Sequence, residues 1–166
     1  MQSTTYTSHL VRTSAIDPDQ PLSTPATPSA LGSQTGLPLL KGKRVVIIED
    51  EGLTLMHLRK ICTLAGMQVV GLAGNGEQGV QKVLELQPDI VLMDINMPLL
   101  DGFGATERVL EERSLCVVML TAYDMEDYQE RARALGVSGY VLKPITALTL
   151  IPQLEAAYQK FTLAES

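Results

Sequence analysis

In Val45-Val46-Ile47-Ile48-Glu49-Asp50-Glu51, four β-branched residues run without polar alternation straight into three consecutive carboxylates. An aliphatic run of this length with no polar face is the pattern of a strand covered on both sides by helices. The carboxylates that follow cannot enter such a layer, so they mark the place where the strand ends and the chain reaches solvent.

Four further short runs share this character: Met67-Gln68-Val69-Val70-Gly71-Leu72, Ile90-Val91-Leu92-Met93, Val117-Val118-Met119-Leu120 and Gly139-Tyr140-Val141-Leu142. We read all five as strands. The second, broken by Gln68 and Gly71, reads as an edge. Between them lie stretches whose apolar residues recur every three or four positions: Leu53 to Leu64 closed by Gly66, Gly76 to Leu86 closed by Pro88, Ala105 to Glu112, Asp124 to Leu135 closed by Gly136, and a last one reaching about Phe161. In the first, Leu55, Leu58, Ile61, Cys62 and Ala65 form one stripe. Pro152 removes a backbone donor, so the fifth helix is expected to start late or to bend between Leu148 and Pro152. Strand and helix in strict alternation predict an α/β protein, a three-layer sandwich around a five-stranded parallel sheet joined by right-handed crossovers.

The 166 residues suit one domain with an appendage. Thirteen Lys and Arg against nineteen Asp and Glu give a net charge of -6, which disfavours direct binding to a phosphate backbone or an anionic membrane. No apolar run is long enough to span a bilayer. Residues 1–40 hold five of the nine prolines, thirteen Ser and Thr, and three charges (Arg12, Asp17, Asp19), the composition of a disordered tail ahead of a domain over 41–166. The first residues carry no secretory pattern, since Leu10-Val11 is enclosed by His9 and Arg12. Cys62 and Cys116 have no partner at metal-ligand spacing. These features place the protein in the cytoplasm, in a reducing compartment.

In a parallel sheet, function gathers where the strands end. The residues there are Glu49-Asp50-Glu51 after the first strand, Asp94 after the third, Thr121 after the fourth and Lys143 after the fifth. Carboxylates brought that close repel one another unless a cation intervenes. Mg²⁺ suits them, because it takes oxygen ligands, uses one or two carboxylates and keeps several waters. A metal ion, an ammonium and a hydroxyl around one carboxylate would together stabilise the charge of a transferring phosphoryl group, which makes Asp94 the expected nucleophile.

The same residues resemble the receiver domain of two-component response regulators: Val45 to Glu51 (VVIIEDE), Ile90 to Gly102 (IVLMDINMPLLDG), Thr121-Ala122 and Tyr140 to Pro144 (YVLKP). The resemblance covers about residues 43 to 161 and implies the flavodoxin-like strand order 2-1-3-4-5. It further implies that Asp94 accepts a phosphoryl group from a sensor histidine kinase or a phosphotransfer protein. Mg²⁺ would be held by Asp50, Asp94 and the backbone carbonyl of Asn96, with Glu49 acting through a bound water. Lys143 would pair with Asp94 and then with the phosphoryl oxygens, and a cis peptide before Pro144 would aim it. Thr121 would move to the phosphoryl group and Tyr140 would turn inward behind it, a two-state element that switches the face of the fourth and fifth helices toward a downstream protein. A phosphorylation-dependent homodimer is among the arrangements this allows. Glu49 departs from the Asp carried by many members, and Asn96 and Tyr123 are expected to tune the lifetime of the acyl phosphate.

Each residue has a plainer reading when taken alone. Glu49 to Glu51 could be a solvated helix start, Asp94 a turn cap, Thr121 a strand-end hydroxyl, Lys143 a surface lysine and Tyr140 a half-buried strand aromatic. Their joint placement at strand ends outweighs this. Asp101-Gly102 reads better as turn and helix-start chemistry than as a ligand, and His57 as a surface or packing residue. Two other functions share parts of this pattern. A phosphatase of the haloacid-dehalogenase type also uses an Asp nucleophile with Mg²⁺, Thr and Lys, but places its acidic motifs in the opposite order. A flavodoxin-like carrier would need a Ser/Thr-Gly-rich first loop, which Glu49-Asp50-Glu51 is not.

Overall fold

A computed structural model describes residues 39–166. Apart from Leu39 and Leu40, the tail assigned to residues 1–40 lies outside the described residues. Leu40 is 1% exposed and packs into the core, so the packed unit extends past the boundary that composition suggested.

Five strands alternate with five helices: β1 (Arg44–Ile48), α1 (Gly52–Leu64), β2 (Gln68–Ala73), α2 (Gly76–Leu86), β3 (Ile90–Asp94), α3 (Gly102–Glu112), β4 (Cys116–Thr121), α4 (Glu126–Leu135), β5 (Gly139–Leu142) and α5 (Ala147–Ala164). All strand pairs are parallel, in the order β2-β1-β3-β4-β5. The expected α/β architecture, strand order and edge position of β2 are therefore present.

The uninterrupted aliphatic runs have a direct structural meaning. Alternate residues of one strand enter different layers. Val45, Ile47, Ile90, Leu92, Val118 and Leu120 pack against Leu58, Ile61 and Cys62 of α1 and Leu150, Leu154 and Ala157 of α5. Val46, Ile48, Val91, Met93 and Val117 pack on the other face, against Val83 of α2 and Ala105 and Val109 of α3. Ala132 of α4 joins Met119, Ile95 and Phe103 in a smaller cluster on that second side. No position on β1, β3 or β4 after Arg44 faces water.

Helix ends follow local hydrogen-bonding chemistry. Asn75 caps α2 by accepting from Gln78 N–H at 2.9 Å, and Asp101 caps α3 by accepting from Gly104 N–H at 2.7 Å. The Asp101 cap starts α3 at Gly102, a turn before the Ala105 suggested by periodicity. Thr146 and Thr149 form a reciprocal cap that starts α5 at Ala147, so the fifth helix does not start late. Pro152 lies inside it on the exposed side, where the carbonyl of Leu148 can turn to water. No helix of the described residues is long and apolar enough to cross a membrane.

Candidate functional site

β1 and β3 are neighbours, in register from Val45 opposite Ile90 to Ile48 opposite Met93. The residues that leave their ends therefore emerge side by side. One oxygen from each of Glu49, Asp50 and Asp94 lies within 4.8 Å of the others. Asp50 is exposed, whereas Glu49 and Asp94 are 1% and 3% exposed. Three carboxylates with hard oxygen donors, two of them buried, form a set that suits a small divalent cation.

Lys143 arrives from the far side of the sheet, at the end of β5. Its backbone N–H donates to Thr121 C=O at 2.7 Å, which fixes the base of the side chain. The peptide between Lys143 and Pro144 is cis, as expected. The ammonium lies 2.7 Å from Glu49 Oε2 and 3.2 Å from Asp94 Oδ1, so its shorter contact is with Glu49 rather than with Asp94. The remaining Glu49 oxygen accepts from Glu51 N–H at 3.2 Å.

The electrostatics follow from this enclosure. Burial and the Glu49 carboxylate push the Asp94 carboxyl up from 3.8 to about 6, Lys143 opposes them, and Asp50 adds a smaller push. For Lys143, burial disfavours the charged form, but Glu49 and Asp94 outweigh it and move the ammonium above its ordinary value. The carboxylates and the lysine thus stabilise each other in a pocket that would penalise either alone.

Thr121 is fully buried at the end of β4. Its hydroxyl accepts from Tyr123 N–H at 3.1 Å and lies 3.4 Å from Tyr123 C=O, and the Tyr140 hydroxyl donates to that same carbonyl at 2.8 Å. The Tyr123 peptide therefore joins the two expected switch residues. Tyr123 also meets Tyr128 of α4 edge-on, and Tyr128 meets Phe103 in the same way. Asn96 is exposed in the loop after β3. Gly102 closes that loop by donating to Ile95 C=O at 2.8 Å, and a Cβ there would lie 2.2 Å from the carbonyl oxygen of Asp94. Only glycine lets α3 begin so close to the end of β3.

Sequence reasoning did not find the Glu49–Lys143 pairing or the Tyr123 carbonyl as a shared acceptor. Position along the chain carries no signal of either. His57, left without a role, is exposed and has Nε2 3.1 Å from the Ile145 carbonyl, a contact that ties α1 to the loop after Lys143.

Comparison with known proteins identifies the family and the fold. Residues 45–155 match the family model described as the response regulator receiver domain. The chain is 39% identical over 119 residues to the transcriptional regulatory protein PdtaR of Mycobacterium tuberculosis, covering 72% of this chain and 58% of that protein. It therefore spans little more than half of this curated relative. It is 33% identical over 114 residues to the chemotaxis protein CheY of Thermotoga maritima, covering 68% of this chain and 95% of that one. Among solved structures, the signal receiver domain of a modulated diguanylate cyclase from Desulfovibrio desulfuricans G20 superposes with a TM-score of 0.68 at 32% identity, over 75% of this chain and 99% of that chain. CheY of Borrelia burgdorferi, in a complex with CheX, BeF3 and Mg²⁺, superposes with a TM-score of 0.69 at 25% identity, over 71% and 90%. Neither the phosphatase nor the flavin-carrier alternative is needed to account for the residues at the strand ends. With its five-stranded sheet in the order 2-1-3-4-5 and its acidic rim, the chain belongs to the response regulator receiver domains of two-component signalling.

Proposed function

We propose that this domain is a phosphoacceptor switch in which Asp94 takes a phosphoryl group from the phosphohistidine of a sensor kinase or phosphotransfer protein. The observation that carries this reading is the convergence of the Glu49, Asp50 and Asp94 carboxylates within 4.8 Å beside the Lys143 ammonium, which is 3.2 Å from Asp94. In the transfer, the Asp94 carboxylate oxygen forms the new P–O bond as the P–N bond of the donor breaks, and the electron pair stays with the imidazole. Asp50, Asp94 and the backbone carbonyl of Asn96 would hold Mg²⁺, with Glu49 reaching it through water. Bound there, the ion would neutralise charge on the phosphoryl oxygens. Lys143 supplies a second positive charge and Thr121 a hydroxyl donor. The same groups would assist hydrolysis of the acyl phosphate, so the domain would limit the duration of its own signal.

Thr121 and Tyr140 share the Tyr123 carbonyl, which supports a coupled movement. If Thr121 turns to a phosphoryl oxygen, its interactions with Tyr123 are lost and Tyr140 is free to leave the same acceptor. The surface around Tyr140, α4 and α5, where Leu142 and Leu148 are exposed, would then change for a downstream protein or a second copy of the chain. We place this activity in the cytoplasm.

Intact-mass measurement after incubation with acetyl phosphate tests the reading. The expected result is a gain of one phosphoryl group that requires Mg²⁺ and disappears in Asp94→Asn. Equal labelling of Asp94→Asn at the same site would refute it.

A further inference from the structure

We propose that His57 is a positioning residue for the phosphoryl transfer, its imidazole holding the loop that carries Lys143 at a set place against α1. The assignment rests on the function proposed above and gives that reaction a residue outside the phosphoacceptor and the carboxylates around it.

The two halves of the site belong to distant parts of the chain. The acidic half ends β1, and α1 begins at Gly52, directly after Glu51. The basic half follows β5, in the short loop from Lys143 to Thr146 that precedes α5. His57 spans them. Its Nε2 lies 3.1 Å from the Ile145 carbonyl, 88 positions further along the chain. Among the described residues this is the one side-chain hydrogen bond between α1 and that loop. A carbonyl only accepts, so Nε2 carries the proton, a condition met by both the Nε2–H tautomer and the imidazolium.

In so short a loop each restraint bears on Lys143. The Lys143 N–H donates to Thr121 C=O at 2.7 Å at one end, and the reciprocal Thr146–Thr149 cap fixes the other. Between them the Ile145 side chain is buried in the same cluster as Leu58, the neighbour of His57. Apolar burial is non-directional, so it sets the depth of the loop without setting which way the Ile145 peptide faces. The hydrogen bond from His57 supplies that direction, two residues from the lysine. α1 is a firm base for it, since Leu58 and Cys62 are fully buried. A lysine stem has many rotamers, and a transfer that needs its ammonium in one place needs the backbone beneath it held.

Three substitutions separate a donor from mere bulk. Glutamine offers an amide N–H where the His57 Nε2 sits, asparagine is too short to reach, and leucine fills space without a donor. Amide exchange in EDTA, free of phosphoryl chemistry, should be faster at Lys143 and Thr146 in His57→Leu and His57→Asn and parental in His57→Gln. Phosphorylation of Asp94 by acetyl phosphate at saturating Mg²⁺, followed by intact mass, should slow about five-fold in His57→Leu and His57→Asn, the worth of one such hydrogen bond, and recover in His57→Gln. Calorimetric titration with Mg²⁺ should find parental affinity in all three. Equal rates in the parent and His57→Leu, His57→Gln as slow as His57→Leu, or a loss matched by weaker Mg²⁺ binding would overturn the proposal. Nitrogen NMR of the parent needs no variant to fold: a proton on Nε2 is expected, and an Nδ1–H tautomer would overturn the assignment. A parent that accepts no phosphoryl group would instead refute the proposed function, and this role with it.

Discussion

Replacing Asp94 by Asn should make the metal-free protein more stable, although it removes the proposed phosphoacceptor. Burial and Glu49 push the Asp94 carboxyl from 3.8 up to about 6. Each tenfold preference for the neutral form corresponds to about 1.4 kcal/mol, so keeping Asp94 ionised near neutral pH costs the fold about 3 kcal/mol. Asn has the same shape without the charge, and Lys143 keeps its 2.7 Å contact with Glu49. For a domain of this size the gain corresponds to about 10 °C in Tm. Its pH dependence has a definite sign. From 3.8 to about 6 the native protein binds more protons at Asp94 than the unfolded chain does, so this contribution to stability falls as pH rises through that window. The Asn variant lacks the contribution. The stability gap should therefore be small near the lower bound, open through the window and level off above the upper one. Urea unfolding in EDTA across this pH range, parent against variant, measures it. A variant less stable than the parent at neutral pH, or a gap that does not change with pH, would refute the reasoning.

Gly102→Ala should destabilise the domain by at least about 1–3 kcal/mol, because the new Cβ would lie 2.2 Å from the Asp94 carbonyl oxygen and the end of β3 must shift. Chemical unfolding measures the loss, and weaker Mg²⁺-dependent labelling of Asp94 should accompany it. Tyr140→Phe removes the donor to Tyr123 C=O at 2.8 Å and should cost about 1 kcal/mol or less, since this ring is only partly buried. Faster amide exchange confined to residues 121–126 would register it. Pro152→Ala restores a backbone donor toward Leu148 C=O on an exposed helix face and should raise stability by about 1–3 kcal/mol in the same unfolding assay.

The fold was legible because a doubly covered parallel strand has no polar face, and Val45 to Ile48 and Ile90 to Met93 say so in four residues each. The site was legible for a related reason: Glu49, Asp94, Thr121 and Lys143 sit at or immediately after a strand's last residues, so topology alone brings them to one rim. What stayed hidden depends on side-chain direction and on contacts distant in sequence. Lys143 chooses Glu49 across 94 residues, and no spacing rule reaches that far. The start of α3 was missed because Asp-Gly serves turns and helix caps alike, and only the hydrogen bond to Gly104 N–H decides between them. Leu40 looked like part of a polar tail, yet one apolar side chain is enough to carry the chain into the core. Pro152 argued for a late helix start, but the reciprocal Thr146–Thr149 cap fixes the start at Ala147 regardless.

The wide separation of Lys143 from its two carboxylates also has a bearing on how the protein comes to exist. A chain leaves the ribosome from its amino end at about 5–20 residues per second. Glu49 and Asp94 therefore emerge several seconds ahead of the lysine that compensates them. A nascent chain that has completed β1 and β3 but not β5 holds mutually repelling carboxylates at the middle of its sheet. Such a chain has reason not to close until its last strand arrives, so a fragment ending before β5 should fail at the centre of the molecule as well as at the missing edge.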